Sequence, residues 1–138
     1  MIDKINIRVY AIYINENQEI MALDEDYAGQ KLIKLPGGGL EFGEGTIECL
    51  HREFAEELNL KIEVLEHFYT QEDFLVSRFR ENEQLLTIYY TVNILNLEDL
   101  NILDDSIENV KWISLHEENP LPLPIDKIVF EKLKEKLF

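Results

Sequence analysis

Apolar positions alternate from the start of the chain. Ile5, Ile7, Val9, Ala11 and Tyr13 are apolar while Asn6 and Arg8 interrupt the even positions, so Ile5 to Ile14 has the period of two of a strand. Asn15-Glu16-Asn17 is turn chemistry, and Glu19 to Leu23 is expected to return as the hairpin partner. Lys31 to Leu35 is a short apolar run that Pro36 and the glycines 37, 38 and 39 are expected to end. From Thr46 to Leu58 the period changes: Ile47, Leu50, Phe54 and Leu58 follow a helical repeat, with Thr46 as the expected N-cap. Leu60 to Thr70 and Gln84 to Leu95 read as strands, the second with Leu86, Ile88, Tyr90, Val92 and Ile94 on one face and Thr87, Thr91 and Asn93 on the other. Val110 to Leu115 is another short strand, and the prolines 120, 122 and 124 keep the next stretch irregular. A final helix follows, with Ile125, Ile128, Val129, Leu133 and Leu137 as its buried stripe and the lysines 132, 134 and 136 near its negative C-terminal end. Strands before, between and after two helices indicate an α/β fold, a mixed sheet covered by helices.

Composition narrows the setting. The 138 residues are 46% apolar, enough for one packed core, so a single domain over residues 1–138 is expected. Thirteen Lys plus Arg face 28 Asp plus Glu, a net charge of −15, which argues against coating duplex nucleic acid. A phosphate-bearing ligand would need a local remedy for that repulsion. One cysteine, Cys49, excludes an internal disulfide framework and suits a reducing compartment. No run approaches the roughly 18 apolar residues of a spanning helix, and polar residues interrupt the first positions, so the expected setting is cytoplasmic and away from membranes.

The chemistry concentrates between Gly37 and Leu60. A glycine-rich turn leads through Leu40-Glu41-Phe42-Gly43-Glu44-Gly45 into the helix that carries Arg52-Glu53-Phe54-Ala55-Glu56-Glu57-Leu58. Spacings of three and four put the carboxylates of Glu53, Glu56 and Glu57 on one helix face, next to the apolar arc that packs on the sheet. Like charges so placed call for a cation. Arg52 is positioned to pair with Glu53 or Glu44, and hard oxygen donors select Mg²⁺ or Mn²⁺ over zinc. A solvated acidic helix face is the plainer alternative. Two other motifs fail on the same residues. A phosphate-cradling P-loop needs Lys-Ser/Thr where Glu44-Gly45 stands, and a calcium loop opening at Asp24 would have Leu35 where a bidentate Glu belongs.

Gly38, five residues, Glu44, seven residues, then Arg52-Glu53-Phe54-Ala55-Glu56-Glu57-Leu58-Asn59-Leu60 resembles the 23-residue signature box of the Nudix hydrolases, G-x5-E-x7-R-E-U-x-E-E-x-G-U. One position departs: Asn59 stands where the second glycine is usual, and Asn tolerates left-handed backbone better than other residues with a side chain. The resemblance implies an α/β/α sandwich. It also implies hydrolysis of a nucleoside diphosphate linked to another moiety, a small-molecule nucleotide substrate, with Mg²⁺ or Mn²⁺ as cofactor. Carried over by position, Glu53, Glu56 and Glu57 would be metal ligands, with the carbonyl of Gly38 as a further donor, while Glu44 and Arg52 would hold loop against helix. Glu53 would accept the water's proton, unless a loop glutamate such as Glu81 or Glu83 does so. The family's substrates leave a nucleoside triphosphate, a nucleotide sugar, ADP-ribose or a dinucleotide open, and relatives that pair leave room for a homodimer. A nucleotide-sensing domain without catalysis is the rival, disfavoured by the intact acidic pairs. A second rival, a Nudix-fold isopentenyl diphosphate isomerase, is disfavoured because the sequence shows no convincing acid–base Cys-plus-Glu arrangement.

Outside the box, Arg78 and Arg80 fall on one side of an extended stretch and are candidates to grip a distal phosphate, as are Lys31 and Lys34 before the glycines. A solvated loop edge remains the plainer reading of each. Tyr27, Tyr69 and Phe74 are candidates to stack a base, with rim packing as the alternative. Trp112 reads as core, His51, His67 and His116 as bystanders, and Cys49 as a buried, inert thiol.

Overall fold

Strand β1 (Lys4–Ile12) is buried on both sides: Val9 and Ala11 enter one apolar cluster, Tyr10 and Ile12 another. In this computed structural model, which describes residues 1–138 apart from the side chain of Tyr27, six further strands and two α-helices follow. They are β2 (Glu19–Tyr27), β3 (Gln30–Lys34), β4 (Gly37–Gly39), α1 (Thr46–Leu58), β5 (Ile62–Thr70), β6 (Glu83–Ile94), β7 (Ile107–Ser114) and α2 (Pro124–Leu137), with one 3-10 turn at Leu97–Asp99. One sheet has the order β4-β1-β6-β5, mixed because β1 and β6 run parallel; the other, β3-β2-β7, is antiparallel. Helix α1 presents Cys49, Leu50, Phe54 and Leu58 to the first cluster, and α2 presents Ile125, Val129, Phe130 and Leu133 to the second. The helices therefore cover opposite faces of the β layer, the expected α/β/α sandwich.

Three local expectations change. The hairpin closes only at its turn, where Ile14 bridges Ile20 and the Met21 amide donates to the Tyr13 carbonyl at 3.0 Å. Beyond it β1 and β2 part into different sheets, because both edges of β1 are taken by β4 and β6. The glycines do not simply end β3. They form β4, and the missing side chain lets Gly37 press onto β1, where a Cβ would lie 2.1 Å from the Val9 carbonyl oxygen. On β6 the face of Thr87, Thr91 and Asn93 is split, exposed at Asn93 and buried towards Thr87. Thr87 and Tyr89 are buried, Thr87 donating to the Gln71 side-chain oxygen through its amide and hydroxyl, Tyr89 donating its hydroxyl to Asp126 of α2.

The helix ends are also set locally. Gly45, not Thr46, is the N-cap of α1; its amide donates to Glu48 at 3.0 Å, while the Thr46 hydroxyl pairs with that of Tyr90. At the other end Asn59 adopts φ 58°, ψ 36°, the left-handed cap expected of it, and the amides of Leu103 and Asn101 satisfy the carbonyls of Glu57 and Leu58. In α2, Ile125, Val129 and Leu133 are buried as expected, but Leu137 in the last turn is exposed and Phe130 occupies the cluster instead. Trp112 packs on the first cluster, edge-on to Tyr13. Among the described residues no helix is long and apolar enough to cross a membrane.

The cap is directly testable. Asn59→Val forces a β-branched side chain into left-handed backbone and should cost about 1–2 kcal/mol in urea unfolding, whereas Asn59→Gly should be neutral or stabilising. Equal stabilities for both variants would show that the cap is not held in that conformation.

Candidate functional site

Arg52 joins the glycine loop to the helix. Its Nε and Nη2 donate to the two carboxylate oxygens of Glu44 at 2.9 and 2.7 Å, a fork matched to a fork, and Nη2 also donates to the Gly39 carbonyl at 3.0 Å. Nη1 donates to Glu53 at 2.9 Å and Glu56 at 3.2 Å, with Glu41 at 3.4 Å. Glu44 closes the loop in return by accepting the Glu41 amide at 2.9 Å. Arg52 holds the Glu44 carboxyl down at about 2 from the ordinary 4.5, and the Glu44 and Glu53 carboxylates raise the guanidinium's own pKa further. Pairing with both Glu44 and Glu53, which the sequence left as alternatives, is what the geometry shows.

The three expected carboxylates occupy different environments on one face. Glu56 is 61% exposed at its side chain and Glu53 14%, while Glu57 is buried. Glu53 lies against Gly38, where any Cβ would stand 2.5 Å from its carboxyl group, so the backbone there is bare to let the acid in. Burial, then the shared hydrogen bond with Glu53, raises the Glu57 pKa far above the carboxylate range; Lys34 opposes this and the charges of Glu53 and Glu25 reinforce it. The donor chemistry suits a hard divalent cation: three carboxylates on neighbouring turns beside the Gly38 carbonyl. Among the described residues no three acidic, His or Cys side chains are drawn together tightly enough to hold an ion, and Nη1 of Arg52 spans Glu53 and Glu56.

A cleft of about 450 Å³ is walled by Arg8, Lys34, Arg78 and Arg80 with Glu25 and Glu83; Arg8 faces Gly39 across the β1–β4 ladder, one residue from the Gly38 that Glu53 lies against. It shares Tyr10, Arg78, Leu85 and Leu123 with a second, mainly apolar chamber of about 300 Å³ whose wall includes Leu75, Val76, Ile125 and Asp126. Arg78 and Arg80 thus share one cavity, as their alternation suggested. Lys34 reaches it too, but its ammonium is already matched by the buried Glu25 carboxylate at 2.9 Å. Lys31 pairs with Glu108 on the surface. Glu83 is in the cleft wall, whereas Glu81 is exposed in the turn. Phe74 is exposed away from both chambers, Tyr69 lies under the ammonium of Lys132, and the Tyr27 side chain falls outside the described residues. Burial lifts the Cys49 thiol to about 12, in keeping with an inert group.

Sequence reasoning missed Arg8, Tyr10, Glu25 and Asp126. Asp126 did leave a signal, a charge at helical spacing from Val129, Phe130 and Leu133, whereas Arg8 fell on the even positions that read as the polar face of its strand.

Residues 4–133 match the family model described as NUDIX domain. The chain belongs to the NUDIX domain family. The loop and helix built around Arg52 are its signature box, with Asn59 supplying the left-handed cap. Over 93 residues the chain is 28% identical to the nucleoside triphosphatase NudI of Enterobacter sp. (strain 638), a match spanning 64% of this chain and 66% of that protein. Its fold is similar to that of a NUDIX hydrolase from Nitrosomonas europaea (TM-score 0.80, 18% identity, covering 96% of this chain and 90% of that one). The MutT NUDIX hydrolase from Burkholderia pseudomallei is comparably close in fold (TM-score 0.79, 16% identity, 95% and 99% coverage).

The Arg52–Glu44 fork has a pH signature. A carboxyl lowered from 4.5 to about 2 in the folded state adds stability that is complete above about pH 4.5 and is lost as pH falls toward about 2. Urea midpoints should therefore fall across that window more steeply for the wild type than for Glu44→Gln. Parallel pH curves would show that the fork contributes nothing to the folded state.

Proposed function

We propose that this NUDIX protein is a pyrophosphohydrolase that cleaves a nucleoside diphosphate linked to another moiety, using Mg²⁺ or Mn²⁺. The observation that carries the reading is the Arg52 hub, which clasps Glu44 of the loop and orients Glu53 and Glu56, with Glu53 against Gly38 of the glycine strand. Glu53, Glu56 and Glu57, with the Gly38 carbonyl, would hold the ion. When bound it supplies charge neutralisation on the phosphoanhydride and a more acidic attacking water. The chain's own residues do the rest. Arg52 and Glu44 keep the loop closed on the helix, so the acids stay in register with the cleft. Glu53, nearly covered and already hydrogen-bonded, is the proton acceptor within the box, and Glu83 is the cleft-wall glutamate available to share that work. Arg78 and Arg80 bind the substrate's phosphates, and Lys34 supplies positive potential while tied to Glu25. A reducing cytoplasm is the setting we assign, where Cys49 stays a thiol.

The raised Glu57 carboxyl makes cofactor uptake proton-linked. Glu57 holds its proton more tightly than an ordinary carboxylic acid, and ligation requires the carboxylate, so Mn²⁺ binding should release protons. Calorimetry in two buffers of different ionisation enthalpy should give different apparent heats for the wild type and equal heats for Glu57→Gln. Equal heats for the wild type would remove Glu57 from the ligand set.

The activity itself is tested by a panel with Mg²⁺: a nucleoside triphosphate, a nucleotide sugar, ADP-ribose and a dinucleotide, following release of nucleoside monophosphate, phosphate or pyrophosphate. At least one member should be cleaved, and Glu53→Gln should slow that cleavage by about 10²- to 10⁴-fold without unfolding the protein. No cleavage of any member would leave a nucleotide-sensing domain as the function.

A further inference from the structure

Three basic side chains of the cleft wall, Arg8, Arg78 and Arg80, make no ion pair among the described residues, and of these Arg78 and Arg80 are exposed whereas Arg8 is half-buried. Lys34 is matched by Glu25, and Arg52 by its cluster of carboxylates. Arg8, half-buried on β1, has among the described residues no carboxylate within the 4.0 Å of an ion pair. Its Nε donates to the Tyr10 hydroxyl at 2.6 Å, and its guanidinium carbon lies 5.7 Å from the Tyr10 ring centre. Gly39, its partner across the β1–β4 ladder, offers no side chain; a Cβ there would sit 3.5 Å from Nη1. Arg8 is therefore oriented through one nitrogen by a neutral partner, with the far end of its fork in the cleft wall. A guanidinium in such a place is costly unless an anion completes it. The next residue along β1, Val9, pairs with Gly38, against which the Glu53 carboxyl lies, so an anion on Arg8 would sit one register step from the acids.

We propose that Arg8, held in place by Tyr10, binds non-bridging phosphate oxygens of the substrate, and that the polyphosphate chain runs past Arg8, Arg78 and Arg80 while the nucleoside enters the adjoining apolar chamber. The inference rests on the hydrolase reading and names the substrate class within it: a single nucleoside bearing a polyphosphate. The reverse orientation is unfavourable. In the apolar chamber the charged side chain beside Arg78 is Asp126, whose oxygens already accept from the Tyr89 hydroxyl and the Leu35 amide, and a phosphate there would meet a carboxylate. Tyr10 lines both chambers and marks the boundary.

Inorganic tripolyphosphate with saturating Mg²⁺ is the probe, since its binding is read by calorimetry without turnover. Arg8→Gln should weaken it by about ten- to a hundredfold, the worth of one charge-assisted pair. Arg8→Lys, which keeps the charge and the stem, should fall between, and Tyr10→Phe, which keeps the ring but frees the fork, should weaken binding severalfold. For a nucleoside triphosphate the same variants should raise KM by matching factors, with kcat changed much less. Arg8→Lys also guards against a fold defect, since its urea midpoint should equal that of the wild type. Wild-type affinity in Arg8→Gln and Arg8→Lys, or no tripolyphosphate binding by the wild type, overturns the assignment. Tripolyphosphate bound through Arg8 with no nucleotide cleaved overturns the hydrolase reading instead and keeps this one.

Discussion

One guanidinium organises the site. Arg52 satisfies both oxygens of Glu44, the Gly39 carbonyl and the facing oxygens of Glu53 and Glu56; the first two contacts tie the glycine strand and its loop to α1, and the last two orient acids of α1 itself. Without it, three acids on neighbouring helical turns and two more in the preceding loop would repel one another beside a glycine strand with no side chains of its own to pack. With it, repulsion becomes registration: the loop is fixed against the helix and the acids are held at the edge of the core. The residual cost appears at Glu57, where burial and the neighbouring Glu53 make the carboxyl hold its proton more tightly than an ordinary carboxylic acid.

The same logic resolves the tension between a net charge of −15 and an anionic substrate. Average charge does not decide binding; local pairing does. The chain brings Arg8, Lys34, Arg78 and Arg80 from three separate stretches to one cleft, against Glu25 and Glu83. Its wall is therefore a positive surface inside a negative molecule.

How much of this could be read from the chain depends on whether a residue's partners are near it in sequence. Helix α1 runs over Thr46–Leu58 as expected because its signals are local: a glycine entry, an apolar arc and a left-handed Asn59. The acids of the box were legible for the same reason. The fate of Thr87 and Tyr89 was not, since their burial depends on Gln71 and on Asp126 in α2. Lys34 looked free because Glu25 reaches it only across the β2–β3 ladder, where Leu32 faces Glu25 and Leu23 faces Lys34. Arg8 resembled the solvent-facing break of an amphipathic strand; only the arm of residues 75–85 folding over β1 encloses it. Two sheets instead of one hairpin-linked sheet follow from the same limit, because pairing of β1 with β6 is set by contacts across most of the chain.

The most direct measurement is anomalous diffraction from Mn²⁺ in crystals of the protein with a non-hydrolysable nucleotide. The account predicts a manganese peak coordinated by carboxylate oxygens of Glu53, Glu56 and Glu57, with Glu44 still clasped by Arg52. Manganese bound elsewhere, or no peak while Glu57 stays hydrogen-bonded to Glu53, would contradict it.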